Sequence, residues 1–213
     1  ARAGGDPDAN PRLRSAVTAA KAASMPADNI KRAIQRGTGQ LPGAAYEEVT
    51  FEGYGPGGAA VLVEVATDNR NRTVSEIRHL FGKYGGNLGE AGCVSWMFSK
   101  RSLIAIPKQK AAEDDLMELA LAAGAEDLRD DGDVWSILSA PDAHEAVVAA
   151  LKQKGIEPAA AEVTMVPQTH VKLEGKQAQA MLRMVEGLEE HEDVQNVYAN
   201  FDIEEKEMEA LAQ

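Results

Sequence analysis

The alternation of segment types between Leu103 and Val166 restricts the fold of this chain more than any other feature. A strand-like run, Leu103–Ile106, is followed by helical spacing over Ala111–Ala123. Two strand runs, Glu126–Arg129 and Val134–Leu138, flank the turn residues Asp130–Asp133. A second helical run, Asp142–Lys152, and a last strand, Ala161–Val166, complete the set. The order strand, helix, strand, strand, helix, strand is a split β-α-β unit, the ferredoxin-like arrangement.

A second unit of the same order is read from the chain on either side. Ala59–Ala66 alternates Val61, Val63 and Val65 with Leu62 and Glu64, a strand pattern. Thr73-x-x-Glu76 reads as a capping box opening a helix with Val74, Ile77, Leu80 and Phe81 on one face. Gly85-Gly86 ends that helix, and Val94–Phe98 reads as a strand. Beyond the inserted unit, His170–Leu173 reads as a strand, Lys176–Leu188 as a helix and Val194–Phe201 as a strand. A further strand is expected at Glu47–Glu52 and an acidic helix at Glu204–Leu211.

Residues 1–40 read as helical. Asn10-Pro11 is an N-cap followed by proline at the first helical position, and Leu13, Ala16, Val17 and Ala20 follow at helical spacing. Ser24-Met25-Pro26 breaks this helix and starts another, with Ile30 and Ile34 stacked and Gly37 at its end. Two short helices bury little, so a third is expected from upstream; Ala1 is not a start methionine. Residues 38–45 read as a linker. The expected class is α+β: an N-terminal helical bundle, incomplete here, and two ferredoxin-like domains. The divisions are 1–40, then 41–101 with 168–213, and an inserted 102–167.

Charge is distributed unevenly. Residues 1–40 carry a net +4 and the remainder −16, for a total of −12. A basic head on an acidic body points to nucleic-acid contact through the head, because the body repels phosphate. No stretch approaches the apolar length of a membrane span, and no secretory leader opens the chain. The single cysteine, Cys93, excludes an internal disulfide framework and a cysteine-based zinc site. A cytoplasmic setting is expected.

Gly53-x-Gly55-x-x-Gly58 matches a dinucleotide pattern only formally. A strand follows it where phosphate binding needs a helix N-terminus, and Pro56 removes a donor. Gly53, Tyr54, Gly55, Pro56, Gly57 and Gly58 are read as a hairpin loop, or as a rigid exposed loop touching a partner. The four histidines form no metal-ligand spacing, and no nucleophile–base arrangement is visible. Cys93 is expected to begin a strand. No catalytic residue, metal or cofactor is therefore expected. The segment Thr67–Thr73 concentrates Asn69, Arg70, Asn71 and Arg72 between a strand and a helix. It reads either as a capped turn or as a phosphate or RNA contact that Arg78 extends.

Ordered motifs run along the chain: Asn10-Pro11-Arg12-Leu13, Met25-Pro26-x-Asp28-Asn29-Ile30, Arg36-Gly37-Thr38-Gly39 and Tyr46-Glu47-Glu48. Gly53-Tyr54-Gly55-Pro56-Gly57-Gly58, Thr67-Asp68-Asn69-Arg70-Asn71-Arg72-Thr73 and Gly85-Gly86-Asn87-Leu88-Gly89 follow. Together they resemble the YebC/PmpR family of bacterial proteins and, more distantly, the mitochondrial translational activator of cytochrome oxidase subunit I. The family's basic Gly-His-Ser-Lys-Trp start is absent. The resemblance implies a helical bundle with two ferredoxin-like domains. It implies either a DNA-binding transcriptional regulator or a translation factor that helps ribosomes stalled at proline-rich stretches. Neither role needs catalysis.

The expected partner is ribosomal RNA or DNA, with no membrane and no small-molecule substrate, and the chain is expected to be a monomer. Arg12, Arg14, Lys21, Lys31, Arg32 and Arg36 are the candidate phosphate contacts of the head. Arg70, Arg72 and Arg78 are a second patch. A small-molecule sensor, binding between paired ferredoxin-like domains, is the rival from another class.

Overall fold

The computed structural model describes residues 4–40, 46–204 and 206–208. The expected linker lies mostly, and half of the expected terminal helix lies, outside them. In chain order the elements are α1 Pro11–Ala22, α2 Ala27–Gly37, β1 Glu47–Tyr54, β2 Ala60–Thr67, α3 Arg70–Lys83 and β3 Asn87–Leu88. Then come β4 Phe98–Pro107, α4 Glu113–Ala122, β5 Ala125–Asp131, β6 Val134–Ser139, α5 His144–Gln153 and β7 Ala160–Pro167. Last are β8 Val171–Lys172, α6 Gly175–Glu189, β9 Val194–Ala199 and β10 Phe201–Asp202. The fold is α+β. Among the described residues no helix is long and apolar enough to cross a membrane.

The split β-α-β unit forms as the hydrophobic pattern predicts. Strands β4 to β7 make an antiparallel sheet in the order β5-β6-β4-β7. Ile104, Ile106 and Ile137 point from it onto Leu116 and Ala120 of α4 and Val147 and Leu151 of α5, all essentially buried.

The other sheet departs from expectation. Its order is β3-β1-β2-β9, so β1 occupies the place beside β2 that the strand at His170–Leu173 was expected to fill. A short turn joins β1 to β2, closed by the Gly55 N–H donating to the Ala59 carbonyl at 2.7 Å. Pairing across so short a loop costs little chain entropy. The later segment instead forms β8, which pairs in parallel with β10 in a separate two-stranded ribbon.

The strand expected at Val94–Phe98 is also corrected. Ser95–Met97 is a 3₁₀ turn, and β4 begins only at Phe98. The buried Glu52 carboxylate takes the N–H groups of Val94 and Ser95, which are then lost to any ladder. Cys93 consequently sits half-buried in a loop rather than at a strand start.

Strand β2 is buried on both faces. Val61, Val63 and Val65 join the core under α3 and α6, with Ile77, Phe81, Met181 and Met184. Ala60 and Leu62 face the other way, onto Val94, Phe98, Met97 and Met165. Gly53 is fixed by close approach: a Cβ there would lie 2.6 Å from both the Asn87 carbonyl oxygen and Phe81 Cε1. We expect Gly53→Ala to lower unfolding stability by about 1–3 kcal/mol through overpacking. Urea titration followed by circular dichroism checks this; an unchanged midpoint would show that β3 shifts freely.

Candidate nucleic-acid interface

The head is built as its sequence suggests. Asn10 caps α1 by accepting the Leu13 N–H at 3.2 Å, and Leu13 and Ile30 turn inward. The six head cations divide into two groups. Arg12 pairs with Glu48 at 2.8 Å, bridging head to body. Arg14 donates to the carbonyls of Pro7 and Asp8 at 3.1 and 2.6 Å. Lys21, Lys31, Arg32 and Arg36 are exposed, with no ion-pair partner among the described residues. On α2 the buried Ile30 and half-buried Ile34 leave Lys31, Arg32 and Arg36 facing solvent.

The Thr67–Thr73 segment does not form the capping box read from the sequence. The helix starts earlier, at Arg70, capped by the Asn69 side chain accepting the Arg72 N–H at 3.2 Å. Thr73 is buried inside α3, and its hydroxyl lies 2.7 Å from the Thr67 hydroxyl and 2.6 Å from Asp193 Oδ2. Arg72 donates to the same Asp193 oxygen at 2.9 Å and also pairs with Asp68 and Glu76. Arg72 is thus a tie between α3 and the approach to β9. Arg70 and Arg78 remain exposed without ion-pair partners among the described residues. Of the second patch, only these two are open to a ligand.

The glycine-rich turn is more buried than an open partner loop. Gly53, Gly55 and Pro56 are buried, while Tyr54, Gly57 and Gly58 are exposed. Gly55 lies against Met181 and Met184 of α6, where a Cβ would come within 2.7 Å of the Met181 sulfur. Any partner contact here is confined to Tyr54, Gly57 and Gly58.

Two buried carboxylates organise the neighbouring loops, and neither is singled out by sequence. Glu52 accepts from the Gly92, Val94 and Ser95 N–H groups at 2.7, 2.9 and 2.7 Å. Burial pushes its carboxyl up, but these backbone donors outweigh burial and hold it below the usual carboxylate range. Burial, with the same charge, pushes the Cys93 thiol up, so it is a poor nucleophile. Asp193 behaves like Glu52: burial raises it, while hydrogen bonds from Thr73, Arg72 and Thr67 more than offset burial and leave it depressed.

Three further groupings were invisible in the sequence. Ser102 Oγ lies 2.7 Å from His144 Nδ1, a nucleophile–base spacing, but Ser102 is completely buried and inaccessible to substrate. Glu76, His191 and Asp193 place ligand-type atoms within 4.8 Å of one another. His191 Nδ1 accepts the Asp193 N–H at 3.1 Å, so Nε2 carries the ring proton and donates to Glu76 at 3.0 Å. That ring has no free lone pair for a cation, and Arg72 already pairs with both acids. Between the edge strands β7 and β9 lies a groove of about 420 Å³ lined by Glu162, Glu189 and Tyr198. Burial and the nearby Glu64 push the Tyr198 hydroxyl up to about 12.

The Asp193 cluster generates a pH-dependent expectation. Its folded carboxyl titrates below the unfolded value of about 3.9, so its contribution is complete above that pH and is lost as pH falls through the folded value. Asp193→Asn should therefore flatten the acid limb of stability against pH. It should also cost about 1–3 kcal/mol near neutrality by leaving a donor of the cluster without its acceptor. Thermal unfolding between acid and neutral pH measures both; an acid limb identical to the parent's would exclude Asp193 as a source.

The chain matches two family models: the TACO1/YebC protein N-terminal domain over residues 1–40, and the TACO1/YebC second and third domain over residues 46–201. A probable transcriptional regulatory protein of Koribacter versatilis is 62% identical over 212 residues, covering 100% of this chain and 86% of that protein. One of Solibacter usitatus is 63% identical over 213 residues, with the same coverage of 100% and 86%. The crystal structure of a conserved hypothetical protein from Aquifex aeolicus superposes with a TM-score of 0.80 at 45% identity, covering 95% of this chain and 84% of that one. With both models together spanning nearly all of its residues, the chain belongs to the TACO1/YebC family.

Proposed function

We propose that this protein is a non-enzymatic, nucleic-acid-associated regulator of gene expression that works on the ribosome and relieves stalls at proline-rich stretches. The observation that carries the reading is electrostatic. Lys21, Lys31, Arg32 and Arg36 stand exposed and unpaired among the described residues, on a head of net +4 joined to a body of net −16. Phosphate is attracted at one end of the molecule and repelled by the rest. Such a polarity suits a factor that meets ribosomal RNA end-on. In this reading residues 1–40 are the RNA-contacting domain, 41–101 with 168–213 the second domain, and 102–167 the inserted third. Arg70 and Arg78 supply a second contact, and the chain acts as a cytoplasmic monomer. The inaccessibility of the Ser102–His144 pair supports a role without catalysis.

The names of the relatives support regulation of gene expression and favour a second reading, a DNA-binding transcriptional regulator. A sequence pI of about 4.8 weighs against it, since a protein dedicated to duplex DNA carries a broader basic footprint.

Charge reversal tests the head directly. Lys31→Glu, Arg32→Glu and Arg36→Glu in one variant should weaken ribosome binding and reduce the slope of log affinity against log salt by roughly 2–3. Sedimentation of purified ribosomes with the protein across a salt series measures this. Unchanged affinity and slope would remove the head from the interface. Binding to promoter duplexes in preference to ribosomes would favour the DNA reading.

A further inference from the structure

Trp96 is the most exposed large hydrophobic side chain among the described residues, at 66%, and Tyr54 is exposed at 37%. The two rings hang from one atom. Tyr54 Oη donates to the Cys93 carbonyl at 3.1 Å, and Trp96 Nε1 donates to the same oxygen at 3.1 Å. Each ring has thus spent its polar atom on the protein. What the pair offers outward is flat, electron-rich π surface.

The support beneath this pair is unusually firm. Glu52 grips the loop through the N–H groups of Gly92, Val94 and Ser95, ending one residue before Trp96. The Glu52 carbonyl accepts the Gly89 N–H at 2.8 Å. Tyr54 belongs to β1, two residues after Glu52, so both rings are referred to one rigid strand. Asn87 is the register partner of Tyr54 across β1 and β3 and is exposed. Cross-strand partners share a face, which puts a carboxamide beside the tyrosine.

We propose that Tyr54 and Trp96 form a stacking platform for an unpaired RNA base, with Asn87 positioned to hydrogen-bond the base edge. The proposal rests on the nucleic-acid reading above and adds a point of contact distinct from the head and from Arg70 and Arg78. Three observations select a base as the occupant. The rings expose faces rather than donors, and stacking on such faces is how unpaired bases are held. The acidic body disfavours a laid-down phosphate backbone, and one splayed-out nucleotide brings little backbone with it. The exposed residues that flank the pair along the chain, Asn87, Glu90 and Gly92, are polar or bare, unlike the flanks of a surface built for a hydrophobic protein segment.

The two tryptophans make the proposal measurable. Trp135 is 8% exposed and Trp96 is 66% exposed, so Trp135→Phe leaves Trp96 as the sole reporter. In that background, a labelled single-stranded uridine-rich RNA is titrated, reading RNA anisotropy and Trp96 emission together. Stacking should quench Trp96 with the same midpoint as the anisotropy change. Trp96→Ala should weaken binding by roughly 5- to 150-fold, whereas Trp96→Phe should keep most of it. Tyr54→Leu should weaken binding in the same direction. An abasic oligomer of equal length should bind through the head without quenching. Anisotropy binding with no quench, quenching by the abasic oligomer, or unaltered affinity in Trp96→Ala would each overturn the platform while leaving the head's role intact. Failure of the parent to bind any RNA or ribosome at low salt would overturn both readings.

Discussion

The structure is organised by one strand that has no solvent face. β2 carries Val61, Val63 and Val65 on one side and Ala60 and Leu62 on the other, and all five are essentially buried. The first face supports α3 and α6; the second receives Val94 from the loop before β4, Phe98 from the start of β4 and Met165 from β7. Burying apolar surface on both sides is favourable by about 25 cal/mol per Å², so β2 contributes to both layers at once. Its neighbours β1 and β9 come from positions before and after the inserted unit, so the insertion leaves the sheet continuous.

Around this core, charge is used in two separate ways. Inside, Glu52 is held by backbone donors of the loop before β4, and Asp193, itself in the loop before β9, by side chains of α3. Both stay ionised because the surrounding donors outweigh the cost of burial. Each substitutes a local electrostatic knot for missing secondary structure. Outside, the cations of α2 have no ion-pair partner among the described residues, whereas Arg12 makes an exposed pair with Glu48 and Arg72 is tied to the buried Asp193. A tally of arginines therefore overstates the surface available to phosphate.

Much of the fold was legible. The helices of the head and the order of segments from β4 to β7 follow from periodicity and end signals, because one buried face per element imposes a period of two or 3.6. The second sheet was less so. The hairpin loop at Gly53–Gly58 points to β1 beside β2, but the split β-α-β order gives that place to the 170–173 segment, and alternation marks both as strands. The 3₁₀ turn at Ser95–Met97 was hidden behind apolar residues that read as strand; only the through-space grip of Glu52 decides it. For the candidate interface, sequence found the cations but could not separate exposed Lys31, Arg32, Arg36, Arg70 and Arg78 from the engaged Arg12 and Arg72.

What the sequence determined by itself is therefore the class of fold, the chain's membership of its family and the polarity of its charge, since these depend on composition, order and local spacing. Tertiary structure alone decided that the 170–173 segment pairs with β10 and not with β2, and which arginines are ion-paired. It also decided that Thr73 serves Asp193 rather than a helix cap, and that Tyr54 and Trp96 meet at one carbonyl. The physical reason is the same in each case. The deciding partners are as much as about 120 residues away along the chain, and only packing brings them within hydrogen-bond range.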